Sequence, residues 1–138
     1  MAPISINFLA VIVSAVAYMV IGAVWYSPVV FGKMWIKFAG ITQKDIDIQK
    51  KTMPKIYGFA FVGALITSYI LAIILKLVDA TTLIGALQIG FLVWLGFMAT
   101  TTLSTVLFEG KKQELYLLNN GYNLVALLTA AAILTVWI

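Results

Sequence analysis

The side chains with chemical capacity are few in this chain, and most of them fall late in it. Glu109 is followed by Asn119, Asn120 and Asn123, with Thr105 just before it and Tyr122 among the amides. A carboxylate, amides, a hydroxyl and a phenol can bind and orient a small solute through hydrogen bonds. Histidine and cysteine are absent, which removes imidazole general bases, thiolate nucleophiles, disulfides and thiolate metal sites. All nine positive charges are lysines, so the bidentate guanidinium clamp on phosphate or carboxylate is missing as well. One carboxylate without such partners is thin equipment for acid–base or metal chemistry. No catalytic residue, no metal site and no cofactor is expected, and the protein is not expected to be an enzyme.

The elements that position these residues follow from composition. Of 138 residues, 63% are hydrophobic and 10% charged, against about 45–50% and about 25% in a soluble domain. So few charges could not wet the surface of a water-soluble fold, and the apolar content excludes disorder. The net charge of +4 could suggest nucleic acid, but the placement of the lysines argues for a membrane instead and no nucleic-acid partner is expected.

A hydrocarbon core about 30 Å thick needs roughly 20 apolar helical residues. Four uncharged blocks of that length are present, with spans at about 6–26, 56–75, 83–108 and 115–137. They are solid runs of Leu, Ile, Val, Ala and Phe, without the alternation of a barrel strand. The expectation is an all-α integral membrane protein, a single domain over residues 1–138 built as a bundle of four transmembrane helices. Ala15-Val16-Ala17 resembles a signal-peptidase site. No Lys or Arg precedes it, however, and the apolar run continues beyond, so the first block reads as a span.

Cytoplasmic loops are enriched in lysine. Lys33, Lys37, Lys44, Lys50, Lys51 and Lys55 fall between spans one and two, and Lys111 and Lys112 between spans three and four, whereas only Lys76 falls between spans two and three. This places the 27–55 and 109–114 connections in the cytoplasm and both termini outside, in the cell (inner) membrane. So lopsided a count argues against dual-topology insertion.

Ser27-Pro28 should stop the first helix. Beyond it, Phe31, Met34, Trp35 and Phe38 recur at helical spacing with Lys33 and Lys37 on other faces. That pattern predicts a short amphipathic helix lying in the membrane interface, its lysines near anionic headgroups, with Gly40 ending it. Thr42 and Asp45 form a capping-box-like start to a short helix through Lys51. Pro54 either opens the second span or kinks a helix that runs through it. Thr81 or Thr82 should cap span three, and Gly110 should end it.

Inside the spans, Asn119, Asn123, Ala126 and Ala130 share one face, as do Asn7, Ser14, Tyr18 and Trp25, and Ala60, Gly63, Ala64 and Thr67 form a small-residue stripe. Thr100, Thr101, Thr102, Ser104 and Thr105 spread around span three, and such hydroxyls can bond back to their own helix. Helix packing accounts for most of these patterns. The amides and Glu109 are harder to explain that way, because an unpaired amide in hydrocarbon costs several kcal/mol. Topology puts Glu109, Thr105, Asn119, Asn120, Asn123, Tyr122, Trp25, Tyr26 and Ser27 at one depth, and this layer is the candidate site. The plainer alternative is an ion pair from Glu109 to a loop-one lysine plus an aromatic belt. Trp94, near mid-span, wants a partner for its N–H, such as a hydroxyl on a neighbouring helix.

The string Trp25-Tyr26-Ser27-Pro28-Val29-Val30-Phe31-Gly32-Lys33-Met34-Trp35, with Phe108-Glu109-Gly110 and Asn119-Asn120-Gly121-Tyr122, resembles the domain-of-unknown-function 1761 family. Its members are small, mostly bacterial membrane proteins. The resemblance covers essentially the whole chain and implies a four-helix membrane protein with no assigned activity. It also implies that these three strings belong to one feature.

Two functions fit these residues. One is a self-associating, homo-oligomeric bundle that handles a small solute or ion. The other is a non-catalytic accessory protein that organises membrane lipids or an unidentified protein partner through the Phe31–Phe38 segment and its lysines.

Overall fold

A computed structural model describes residues 4–137. Five helices account for it: α1 (Phe8–Trp25), α2 (Gly32–Ala39), α3 (Gln43–Leu77), α4 (Leu83–Leu107) and α5 (Gln113–Val136). No strand occurs among the described residues. Four of the helices, all but α2, are long and apolar enough to cross a membrane.

The ends of these helices follow capping chemistry. Asn7 accepts the Ala10 N–H at 3.2 Å and opens α1. Thr42 and Asp45 form the expected capping box on α3, with reciprocal bonds of 3.2 and 3.0 Å. Of the two threonines before α4, Thr82 makes the cap, to the Gly85 N–H at 3.0 Å. Gly40 and Gly110 both sit at φ +69°, the left-handed conformation that closes a helix without a Cβ penalty.

Two helices are not simple spans. The helix opened at Thr42 and the second span are one continuous element, α3, with Pro54 inside it, the second of the two readings of that proline. The carbonyl that Pro54 leaves unbonded lies in the exposed, lysine-bearing stretch, where water can take the missing bond. Span three is not a uniform α-helix either. It holds a π-turn at Leu95–Ala99, and near its end the Leu103 N–H bonds to Thr100 rather than to Ala99.

The bundle is up-down-up-down, but α5 is its centre. It packs on α1, α3 and α4, and α1 packs on α3, whereas α3 and α4 barely meet. The seams are lined by alanines: Ala10, Ala15, Ala64, Ala86, Ala126, Ala130 and Ala131 are all buried. Small residues let helix backbones approach where no hydrophobic drive separates helix from lipid. The Asn119–Ala130 face of α5 is thus a packing seam at Ala126 and Ala130. The stripe read on α3 is corrected, since only Ala64 of it is buried and Ala60 and Gly63 are exposed. The buried seam of α3 is rotated to Ala64, Ser68, Leu71, Ala72 and Leu75, because that face meets α1.

Candidate functional site

The turn after α1 builds one side of the site. Phe31 N–H bonds to Trp25 O at 3.0 Å and Gly32 N–H to Ser27 O at 2.8 Å, folding residues 26–31 into a compact loop. A Cβ on Gly32 would collide with the Tyr26 carbonyl and stand 2.7 Å from the Ser27 backbone, so this position requires glycine. Ser27 donates its hydroxyl to Val24 O at 2.7 Å and is spent on the turn.

This loop turns α2 back onto α1 and α5. Phe31 lies 4.7 Å from the Trp25 ring and Trp35 stands edge-on to Tyr26 at 5.6 Å. The expectation of an apolar face turned to lipid is therefore corrected for Phe31 and Trp35, which face the bundle; Met34 stays exposed. Aromatic pairing adds about 0.5–1.5 kcal/mol beyond area burial, which favours the inward face for so short a helix. Phe38 marks the end of the segment, with Lys37 Nζ and Lys112 Nζ each 5.8 Å from its ring centroid. Lys33 is exposed.

Opposite this loop, Asn119-Asn120-Gly121-Tyr122 interlocks with it residue by residue. Tyr26 donates its hydroxyl to Asn119 Oδ1 at 2.6 Å. Asn120 is buried and its Nδ2 donates to Thr102 Oγ1 and to Tyr116 O, both at 3.1 Å. Gly121 lets the Trp25 indole lie against α5, since a Cβ there would meet the ring at 3.1 Å. Tyr122 stands between Tyr18 and Tyr26, ring centroids 5.6 and 5.5 Å away, and donates to Tyr18 O at 3.1 Å. One turn further on, Asn123 Oδ1 accepts the Tyr18 hydroxyl at 3.3 Å.

Four aromatic donors in this region use backbone carbonyls of a neighbouring helix. Trp25 Nε1 donates to Leu118 O at 3.1 Å, Trp94 Nε1 to Asn120 O at 2.9 Å, Tyr116 OH to Ala99 O at 2.6 Å, and Tyr122 OH to Tyr18 O. A helical carbonyl keeps a second lone pair after its own helix bond, so these donors are satisfied without a polar partner side chain. The hydroxyl expected to hold Trp94 is thus replaced by a main-chain oxygen. Ala99 is the carbonyl that the irregularity at Leu103 leaves available.

The hydroxyls of α4 bond back to their own helix: Thr100 to Gly96 O, Thr101 to Phe97 O, Thr102 to Met98 O, Ser104 to Thr101 O and Thr105 to Thr102 O, at 2.7–3.3 Å. Beside them is a cleft of about 230 Å³ between the end of α4 and the start of α5. Glu109, Lys111, Thr105, Asn119, Asn120 and Asn123 line it, together with Thr102 and Tyr116. The lysine that shares the cleft with Glu109 is Lys111, from its own loop, rather than one from 27–55. The structure thus gathers Glu109, Thr105 and the three amides of the sequence-derived layer around one space. It sets Trp25, Tyr26 and Tyr122 on the α1-facing side of the same amides. Thr102, Tyr116 and Tyr18 are the participants that the depth argument did not include in this layer.

These features define an all-helical bundle with four helices long and apolar enough to cross a membrane, its lysine-rich end stapled by an aromatic–amide cluster. The family model described as "Protein of unknown function (DUF1761)" matches residues 9–135, and the chain belongs to that family. No curated protein and no solved structure matches it. The three strings that carry the resemblance meet at this one end of the bundle, which accounts physically for their occurring together.

Proposed function

We propose that this protein is a non-enzymatic, multi-pass protein of the cell (inner) membrane that handles a small polar solute or ion as a self-associating bundle. The reading rests on the cleft at the lysine-rich end. There Asn119 and Asn123 spend their Oδ1 atoms on tyrosines and border a space that also holds Glu109 and Lys111. Their amide nitrogens, a carboxylate and an ammonium supply both donors and acceptors to one occupant. The lysine bias of the 27–55 and 109–114 connections orients that cleft to the cytoplasm. Self-association is supported by the sparse contact between α3 and α4 and by large apolar side chains exposed on both helices, Phe59, Val62, Leu92 and Phe97. Membrane lipids and further copies of the chain are the partners that would cover such surfaces.

Flux assays on proteoliposomes with a panel of ions and small polar solutes test this. Protein-dependent movement of at least one of them, abolished by Asn123→Leu, is expected. Equal flux with and without protein across the panel overturns it.

A second reading, a non-catalytic accessory role with lipids or a partner protein, is favoured by one observation. Lys37 Nζ and Lys112 Nζ both approach the Phe38 ring, a pairing of cations with an aromatic ring that suits an anionic headgroup at the membrane border. Under that reading, reversing the charge of Lys33 and Lys37 abolishes binding to anionic vesicles while solute flux is nil.

A further inference from the structure

We propose that the outward face of α4 is a docking seam for a second copy of this chain, parallel to the first about a twofold axis along the membrane normal. The seam presupposes the self-associating membrane bundle proposed above and names the surface that joins its copies. Ile84, Gln88, Leu92, Gly96 and Thr100 recur at every fourth position of α4, and all of them are exposed. Such a row forms one ridge along a helix. The other face of α4 is already taken, since Ala86, Gly90 and Ala99 are buried where the helix packs on α5.

Gln88 is what lipid alone leaves unsatisfied on this ridge. The remaining polar side chains of α4 are bonded, Trp94 to Asn120 O and the hydroxyls from Thr100 to Thr105 to their own helix. Gln88 makes no hydrogen bond among the described residues, and its neighbours in a shallow surface groove, Ile84, Leu87, Ile89, Phe91 and Leu92, are all apolar. With 25 residues, α4 is roughly 37 Å long and overhangs a hydrocarbon core of about 30 Å by less than one turn at each end. Gln88 follows Leu83 by more than one turn, which brings its amide into hydrocarbon, where an unpaired polar group is costly. Gly96 points the same way on separate grounds. A Cβ on Gly90 would come within 3.3 Å of Leu128 and 3.4 Å of Ala131, so that glycine serves the α5 seam, whereas a Cβ on Gly96 would meet nothing within 4 Å. Glycine weakens a helix interior relative to alanine, and no contact inside one chain requires it at Gly96. With Thr100 one turn on, it makes the small-xxx-small spacing along which membrane helices cross closely.

The chemistry of the amide selects the occupant. Acyl chains offer it no hydrogen bond. A carboxamide carries both donors and an acceptor, so it complements its own kind. A twofold axis along the membrane normal sets identical residues of two copies at one depth, bringing Gln88 to Gln88 and Gly96 to Gly96 in an isologous interface that closes at two copies. The lysine bias of the 27–55 and 109–114 connections gives every copy the same orientation, as that axis requires. The Thr100 hydroxyl is already bonded to Gly96 O and brings no unmet donor to the crossing.

Cross-linking of the full-length protein in liposomes at high lipid excess tests the seam, and it is clean because the chain has no cysteine of its own. Leu92→Cys, on the ridge, should give a disulfide-linked dimer on oxidation with copper phenanthroline. Val62→Cys, exposed on α3, should not. Dimerisation followed by single-molecule photobleaching over a lipid dilution series should weaken roughly three- to tenfold in Gln88→Leu and stay near the parent in Gln88→Asn, which keeps an amide. Gly96→Leu should weaken it about tenfold or more by holding the backbones apart, with helix content and thermal stability of the single chain unchanged. Dimers that cross-link through Val62→Cys as well as or better than through Leu92→Cys overturn the seam while leaving self-association standing. A chain that stays monomeric overturns it, and so do Gln88→Leu and Gly96→Leu variants that both dimerise like the parent, which assigns the ridge to lipid. Solute flux in the same liposomes reports separately on the function proposed above, so dimers without flux remove the solute and keep the seam.

Discussion

The lysine-rich end of this bundle and the helix seams beyond it handle buried polar atoms in contrasting ways. At the first, Trp25, Trp94, Tyr116 and Tyr122 reach backbone carbonyls across helix seams, and Tyr18 and Tyr26 reach amides. Away from it, from mid-helix on α1 and α3 to the last turn of α5, the hydroxyls of Ser14, Ser68 and Thr135 are buried without partners. Matched donors and acceptors make a lock that resists rearrangement. Unmatched hydroxyls are a standing cost, borne where short side chains let helix backbones close on one another. The contrast teaches that polar pairing holds the lysine-rich end, whereas close packing of small residues holds the rest.

The sharpest way to break the lock is Gly32→Ala. The new methyl meets backbone, which cannot swing aside as a flexible side chain can, so a loss of about 2–3 kcal/mol is expected from steric-trapping or detergent unfolding measurements. Asn120→Leu comes next. It removes the bonds from the amide to Thr102 and Tyr116 and should cost about 1–2 kcal/mol. The Tyr26–Asn119 bond should be weaker, near the average of about 0.6 kcal/mol for polar contacts between membrane helices. A double-mutant cycle of Tyr26→Phe with Asn119→Leu isolates it, and a coupling of zero would show that the lock lies elsewhere.

In the seams away from that end the sign should reverse. Ser14→Ala and Ser68→Ala delete hydroxyls that have no partner, so each should leave the protein unchanged or up to about 1 kcal/mol more stable. A clear destabilisation by either would erase the contrast. The smallest effect lies outside both regions. The Thr42 backbone N–H, and secondarily its side chain, hold the exposed Asp45 carboxyl below its usual value. A lowered folded-state value means this cap stabilises above the ordinary carboxylate range and is lost as pH falls through the lowered value. Protection factors for amide exchange at residues 43–46, taken relative to the intrinsic rate at each pH, should fall in acid, and Asp45→Asn should flatten that response.

The four long apolar helices were legible in the sequence because uninterrupted apolar blocks leave little alternative, and Thr42, Thr82, Gly40 and Gly110 announced helix ends through their chemistry. Which helix meets which was not legible. Periodicity marks the face of α5 that carries Asn119 and Asn123, but says nothing about α1 supplying the tyrosines. Trp94 shows the limit most clearly. Its acceptor is a main-chain carbonyl, and every residue has one, so no residue type could flag it. The inward turn of Phe31 and Trp35 was hidden for a related reason, since an apolar face suits a protein seam as well as a membrane surface. Depth puts Glu109 beside the amides, as the cleft between α4 and α5 does, whereas Lys76 and Asp79 read in the sequence only as a solvated loop pair.

The centrality of α5 has a consequence for biogenesis. It follows the other three long helices along the chain, yet α4 depends on it for most of its contacts and α1 for about half of its own. During synthesis α1 and α3 can pair early, but α4 has no extensive partner until α5 emerges, and Tyr18, Tyr26 and Trp94 lack their acceptors until then. A nascent chain stalled before residue 113 should therefore look incomplete to a quality-control protease.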